Sequence, residues 1–551
     1  MENLMFHSAY RFRPVGLFRV VLGVVAFVTT CFTYQTAEAQ FNANDVVRMN
    51  DSNPIIFRNM FPSNRRSSQG DNINGPCMIR IPSWIPNNRR ANSNARYYLY
   101  FGHHDGDYIR MAWSRNPDGP FTLYRANSST GSRGVFDTNN TTISLDRGVQ
   151  IPRNHVASPN VHVDNDNRRI IMYFHSGEYR FEGRRINRQV SWVNTSDYGL
   201  DFRRRDTREV IFSASYLNVF EWDRDLYGFH NDGGPVRARS FNSPWAPTNN
   251  YYNGNDLPDL WNRRSGNLFQ DALGVSRSTR RVRHTGTRVS GNNAQVFYSI
   301  RGDRPERIYV SNISLRSNWN DWRVNAPGNE LLRAVGGWEG GQINIATSQG
   351  GAQDNVNQLR DPYPFQDSDG SLYLLYSGQG EEGIGIAAME SSRQNVRVRG
   401  ARHDGETRQG NDSNRNFRNA TTMSTARGSG TSDRRVFLRF DDVGGGTVRA
   451  AVLRLYLPNR ERNNLEVFAS GNFTEGSLRG NNRPSQGSRL DSVPLGERGF
   501  YEFDVTSYVN SNRNRDFSFV VRSSSSNSVQ ILSSENGNSS RRPQLKFMQR
   551  R

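Results

Sequence analysis

Lysine is all but missing from this chain: Lys546 is the single copy among 71 Lys and Arg residues, so the basic side chains are otherwise arginine. Cysteine is nearly as scarce, with only Cys31 and Cys77. Cys31 falls in an N-terminal leader, which leaves Cys77 alone and excludes an intramolecular disulfide framework. No thiol-protease signature surrounds Cys77, so it reads as a small buried hydrophobe. Hydrophobic residues make up 35% of the sequence, and after the leader no stretch is apolar enough to span a bilayer. The histidines form neither an H-x-x-x-H nor an H-E-x-x-H pattern, and no helix-turn-helix, zinc or RNA-binding signature occurs. These absences predict no cofactor, with a structural divalent cation left open, and no nucleic-acid partner.

The leader is the first feature that is present. Arg11, Arg13 and Arg19 precede an apolar run over residues 20–30, and Ala37-Glu38-Ala39 supplies a small-x-small pattern before Gln40. That order predicts a secretory signal over 1–39 and a secreted protein, extracellular or periplasmic. A membrane anchor would need about 20 apolar residues, roughly twice this run. Because the three leader arginines face Glu2 and Glu38, nearly all of the formal charge of +19 stays on the remaining chain. Arginine grips carboxylate and sulfate groups bidentately, so an acidic ligand such as a uronic or sulfated glycan is one reading. A compositional preference for arginine on a solvated surface is the other.

Aromatic residues reach 11%, and glycine numbers 49. That mixture favours short strands and many turns, and the fold class expected is all-β. Residues 40–74 read as a lead-in segment. From residue 97 aromatic strand pairs recur: 97–101 with 108–114, 169–174 with 189–193, 219–222 with 226–229, 295–300 with 307–311, and 371–376 with 383–388. One such hairpin cannot bury both its faces, so the repeats must pack on one another, as blades do in a propeller. Asp105-Gly106, Asp118-Gly119 and Asp369-Gly370 supply hairpin turns. A five-bladed β-propeller is therefore expected over 75–394. Near residue 394 the texture changes to period-2 alternation at 435–440, 450–456, 499–505 and 517–521. That pattern predicts a jelly-roll-like β-sandwich over 395–551.

Several motifs carry a resemblance. Arg439-Phe440-Asp441, Leu453-Arg454-Leu455-Tyr456, Tyr501-Glu502-Phe503-Asp504-Val505-Thr506, Ser534-Glu535 and Arg542-Pro543-Gln544-Leu545 resemble the secreted DNRLRE-type domains grouped with carbohydrate-binding-module family 96. The likeness covers nearly the whole tail and departs at Thr474-Glu475, where such domains usually carry a Trp-Glu motif. The front of the chain resembles the five-bladed propellers of glycoside hydrolase families 43, 32 and 117. It does so through Ser114 with Gly119-Pro120-Phe121, Thr195-Ser196-Asp197-Tyr198-Gly199-Leu200, and Leu359-Arg360-Asp361-Pro362. The resemblance implies a glycan partner and carbohydrate-active chemistry.

The inner strands of a propeller converge on one axial funnel, so histidines from separate blades can meet there. His103, His104, His155, His162 and His175 fall within a short span, and histidine suits acid–base work near neutral pH. A glycosidase also needs two carboxylates. Asp361 resembles the Asp of those families that stabilises the transition state or sets a pKa, and Glu381 is a candidate acid in Gly380-Glu381-Glu382-Gly383. Asp105 is the first-blade base candidate, although the family places its Asp earlier, on the innermost strand. The catalytic set expected is thus His104, His155, Asp361, Glu381 and Asp105. His103, Arg110, Ser158, His162, His175, Arg283 and Arg360 are the substrate-binding set, the arginines suiting an anionic sugar. Structural roles compete for each of these residues. The functional reading is a glycoside hydrolase with an appended glycan-binding module; a polysaccharide lyase on the same scaffold and a non-catalytic glycan-binding or cell-surface protein stand beside it.

Overall fold

A computed structural model describes residues 40–551 apart from 66–69, 104–105, 107, 126–133, 138–142, 145–148, 152–154, 178, 182–183, 187–188, 203–213, 239–260, 265, 277, 317 and 344–354. The leader over 1–39, and with it the expected signal, lies outside the described residues.

Five antiparallel sheets follow one another along the chain. Blade 1 comprises Ile73–Arg80, Tyr97–His103, Tyr108–Ser114 and Thr122–Leu123. Blade 2 comprises Val156–Asp164, Arg169–Ser176 and Val190–Ser196. Blade 3 runs through Asn218–Trp222, Asp225–Phe229, Pro235–Ala238 and Trp261–Arg263, and blade 4 through Arg281–Ser290, Asn293–Arg301, Ile308–Ser314 and Asn329–Leu332. Blade 5 holds Arg360–Gln366, Leu372–Gly378 and Gly383–Met389, and its outermost strand is Val46–Arg48 from the start of the chain. Val46 pairs with Met389 and Arg48 with Ala387. The first strand of each blade touches those of its two neighbours, blade 5 returning to blade 1, so the ring closes around an axis. This is a five-bladed β-propeller.

Aromatic and β-branched residues fill the spaces between blades, as their composition requires. Tyr98, Tyr100, Met172 and Trp192 pack between blades 1 and 2, and Phe229, Phe269, Tyr298 and Trp322 between blades 3 and 4. Close approach at the axis demands glycine once: a Cβ on Gly286 would lie 2.3 Å from the Pro362 carbonyl oxygen of the next inner strand. An additional small sheet takes Ile143–Ser144 and Val149–Ile151 from the connection between blades 1 and 2, and Tyr179–Phe181 and Arg184–Ile186 from the connection between the second and third strands of blade 2.

From Gln394 the chain builds a β-sandwich. One sheet contains Gln394–Gly400, Gln544–Arg550, Val448–Leu457 and Gly499–Asp504; the other contains His403–Arg408, Arg434–Phe440, Phe517–Ser523, Asn464–Ser470 and Gln486–Pro494. Alternate residues of both sheets, among them Val436, Leu438, Leu453, Leu455, Phe519 and Phe547, form one core.

The sandwich is not a loosely tethered appendage. Ala450, Val452 and Met548 pack into the cluster formed by Val47, Leu375 and Ala388 of blade 5. Beside it lies a buried charge cluster: Arg48 Nε donates to Glu339 Oε1 at 2.7 Å and Arg48 Nη1 to Glu502 Oε2 at 2.6 Å. Tyr376 donates to Glu339 at 2.6 Å, and Lys546 Nζ donates to the Ala43 carbonyl at 2.6 Å. The propeller's closing strand, a propeller loop and two sandwich strands therefore meet in one ionic knot. Residues 40–74 thus supply a blade strand as well as leading into the propeller.

Candidate functional site

The innermost strands of four blades share a local irregularity. Their pairing slips between Asn74 and Cys77, Ala157 and Asn160, Arg283 and Thr285, and Arg360 and Tyr363. At these slips Gly75, Ser158, His284 and Asp361 adopt positive φ of 57°, 52°, 22° and 50°, and Tyr216, just before the blade 3 strand, has φ 58°. A bulge re-aims a side chain, and non-glycine residues held at positive φ mark functional positions more often than chance. Here these five residues, one from each blade and four of them non-glycine, line a single narrow axial cavity of about 50 Å³.

Within it, His284 Nδ1 faces the Asp361 carboxylate. Asp361 Oδ2 also accepts from the Gly75 backbone N–H at 3.2 Å and from Ser377 Oγ at 3.3 Å. The Tyr216 ring lies 3.8 Å from the His284 ring, and His175 lies 4.3 Å from Tyr216. His155 continues the row, its Nε2 being 3.1 Å from Nε2 of His175. Two imidazole nitrogens at that distance must share a proton, one donating and the other accepting. The row therefore runs His155, His175, Tyr216, His284, Asp361, and burial pushes the Tyr216 phenol up to about 12.

A second layer of charge braces these strands. Arg360 is fully buried, pairs with Glu381 at 3.1 Å, and is lowered from the ordinary arginine range by burial. Asn74 donates to Glu381 at 2.7 Å. Arg283 pairs with Glu306 at 3.0 Å, and Ser299 donates to Glu306 at 2.6 Å. Buried charges persist only when paired and hydrogen-bonded, which is what this layer provides.

Ser158 and Asp361 line the axial cavity, whereas His175 and His155 do not line it and stand beside it, His175 against Tyr216 and His155 against His175. His104 and Asp105 lie outside the described residues. His103 stands at the end of its strand, 5.6 Å from the Tyr108 ring. His162 does not line the cavity: it is held by Asn160 Oδ1 at 2.7 Å and rests edge-on to Tyr173. Burial lowers its pKa to about 4, so it is neutral at physiological pH. The three expected anion-binding arginines are committed elsewhere. Arg110 donates to the carbonyls of Asp71, Asn72 and Gly102 beneath the Phe101 ring, with burial lowering its pKa to about 10; Arg283 and Arg360 serve Glu306 and Glu381. None of the three lines the cavity, and neither does Glu381. The reason is position: they sit on or behind the inner strands, where a lone guanidinium is too costly to leave unpaired.

Sequence reasoning missed Tyr216, His284 and Glu306. The recurring Gly75-Pro76, Ser158-Pro159 and Asp361-Pro362 steps mark the slip in three blades, but no such step marks Tyr216 or His284, which precede Leu217 and Thr285.

In the sandwich, ligand oxygens of Asp404, Glu475 and Glu535 lie within 4.8 Å of one another. Burial and then Glu535 push Asp404 up to about 7, while Ser534 N and Oγ donate to it at 2.7 and 2.8 Å. An all-oxygen donor set of this kind fits a hard cation such as calcium.

The class of protein that emerges is a five-bladed propeller with an axial histidine–carboxylate row, docked to a β-sandwich. Comparison with known proteins adds detail. Residues 398–549 match the model of carbohydrate-binding module family 96. An uncharacterized protein of Acanthamoeba polyphaga mimivirus is 28% identical over 331 residues, which is 59% of this chain and 85% of that protein. Among solved structures, an exo-beta-1,3-galactanase from Phanerochaete chrysosporium aligns over 90% of this chain and 100% of its own at 10% identity and a TM-score of 0.39. A glycoside hydrolase family 43 arabinoxylan arabinofuranohydrolase from Bacillus subtilis aligns over 91% and 100% at 10% identity and a TM-score of 0.33.

Proposed function

We propose that the chain is a glycan-degrading enzyme whose proton-transfer centre is the axial His284–Asp361 pair. The observation that carries this reading is the contact of His284 Nδ1 with Asp361 where the inner strands slip. A carboxylate on one ring nitrogen fixes the tautomer and orientation of the imidazole and stabilises its charged form. His284 is then the group that protonates the leaving oxygen of a glycosidic bond, and Tyr216 offers a ring face beside it. The tail's match to a carbohydrate-binding module supports a polysaccharide substrate, held near the propeller by the docked sandwich. Export, expected from the leader, suits a substrate too large to enter a cell.

Hydrolysis fits better than elimination. A lyase acting on a uronate needs a cation to neutralise the carboxylate, and no arginine lines the axial cavity among the described residues. The test is incubation of the mature chain with a panel of neutral, uronate and sulfated polysaccharides. New reducing ends, lost by about 10²–10⁴-fold in His284→Ala and Asp361→Asn, are the expected result. An unsaturated, ultraviolet-absorbing product would instead establish elimination.

One feature favours binding without catalysis. The innermost strand of blade 1, where the families this chain resembles place an Asp, carries Asn74-Gly75-Pro76. Retention of a polysaccharide by the mature chain with no cleavage across the panel would decide for that reading.

A further inference from the structure

Arg96 and Arg115 carry charge that the fold does not use. Arg96 immediately precedes the second strand of blade 1 and Arg115 follows its third. Tyr97 pairs with Ser114, and the Arg96 N–H donates to the Ser114 carbonyl at 2.9 Å, so the two arginines stand opposite each other. Both are exposed, and neither forms an ion pair with a described residue. Like charges directly opposed on neighbouring strands destabilise a sheet.

These arginines border a cleft of about 680 Å³. It lies at the far end of the propeller from the axial cavity: the inner strand of blade 1 runs from Gly75 at that cavity to Arg80 in the cleft, and that of blade 2 runs from Ser158 toward Val163. The opposite wall is the segment 82–95, and it is braced in advance. Arg90 donates to the Ile85 carbonyl at 3.0 and 2.9 Å and to the Ala95 carbonyl at 3.2 Å. The Ala91 N–H donates to Tyr98 Oη at 2.9 Å, and Trp84 Nε1 reaches across to Asn165 Oδ1 of blade 2 at 3.0 Å. Asp367 already neutralises Arg80, at 2.7 Å. Ser83, Asn87, Asn94 and Asn165 add exposed hydroxyl and amide groups around the two uncompensated charges.

We propose that this cleft binds an acidic saccharide. Arg96 and Arg115 take its carboxylate or sulfate groups, the matching geometry for guanidinium, while the amides and hydroxyls take its ring hydroxyls. A braced wall reduces the ordering that binding would otherwise require. The site is independent of the axial reading. It places anion recognition at the opposite end from Arg110, Arg283 and Arg360, which are committed to internal partners.

The experiment uses the full mature chain and three hexasaccharides, one uronate, one sulfated and one neutral, with a single-stranded oligonucleotide as a fourth probe. Hydrogen exchange reads protection of residues 82–96, and titration reads affinity at two salt concentrations. At least one acidic hexasaccharide should protect 82–96 in the parent chain, with the neutral one giving none. The double variant Arg96→Gln, Arg115→Gln should lose that protection, with an affinity at least 10-fold lower and a shallower dependence on salt. His284→Ala should bind as the parent does, so a failed axial reading leaves this result intact. Equal protection by the neutral sugar, protection by the oligonucleotide alone, no protection by any probe, or unchanged protection in the double variant would each overturn the proposal. Exchange protection confined to residues 395–551 would do the same.

Discussion

Removing one carboxylate from the knot between propeller and sandwich tests the energetic reasoning most directly. In Glu502→Gln the side chain keeps its shape but no longer offsets Arg48 Nη1, 2.6 Å away, or Arg454 Nη1, 3.7 Å away. Glu339 is then the remaining carboxylate facing Arg48 in a fully buried cluster that also holds Lys546. Although burial raises it, the surrounding cations, Arg48 first, bring the Glu502 pKa down from 4.5 to about 2. A shift of that size corresponds to about 3 kcal/mol at 1.36 kcal/mol per pKa unit. Breaking a buried pair by deleting one partner costs about 3–5 kcal/mol, so the two routes agree. A depressed folded-state pKa stabilises the protein fully above the unfolded value and loses that stabilisation as pH falls through the folded one. Urea unfolding followed by tryptophan fluorescence should therefore show Glu502→Gln less stable by about 3 kcal/mol at pH 7. The gap should close between about pH 4.5 and pH 2. A variant within about 1 kcal/mol of the parent at pH 7, or a gap constant across that range, would refute the argument.

Other consequences are open to direct measurement. Asp404→Asn should raise the unfolding midpoint at pH 8 and change it little at pH 4. Its folded pKa lies above the unfolded one, so stability is lost as pH rises from about 3.8 to about 7 and the loss is complete above that; equal effects at both pH values would contradict this. Gly286→Ala should destabilise the propeller by about 1–3 kcal/mol through its collision with the Pro362 carbonyl, read by thermal unfolding, and a neutral result would show that the inner strands can separate. His162 should give no imidazole titration between pH 5 and 8 in NMR, since burial holds its pKa near 4. Residues 395–551 expressed alone should bind a hydrophobic dye more strongly than the whole chain, because Ala450, Val452 and Met548 lose the face they cover; equal dye binding would show a self-sufficient module.

Much of the architecture was legible because its signals are local. The middle strands of the blades announced themselves as aromatic runs such as 97–101 and 371–376, and period-2 alternation exposed the sandwich strands. The inner strands stayed hidden except in blade 3. Ile73–Arg80, Val156–Asp164 and Arg360–Gln366 each contain a proline, which removes a ladder donor and reads as a break. Their bulges make that break tolerable, and those same bulges build the site. Val46–Arg48 was equally opaque, since three residues carry no period and their partner lies at the other end of the propeller. Histidine clustering singled out the histidines of 103–175, of which none lines the axial cavity among the described residues, while Tyr216 and His284 join it through ring closure, a long-range event that spacing does not record. Charge misled in one respect: arginines beside site motifs read as ligand groups, but burial turned Arg110, Arg283 and Arg360 into internal braces.

The strand Val46–Arg48 has a consequence for how the protein is made. It is synthesised before any blade, yet its partner Gly383–Met389 emerges last of the propeller strands, and Arg48 further waits for Glu502 of the sandwich. Local hairpins can form as the chain appears, but loop closure across such a separation is slow and comes late. The ring is therefore a clasp fastened only after the last blade exists. Until then the edge of blade 5 presents unpaired backbone groups, the kind of edge on which another strand can pair.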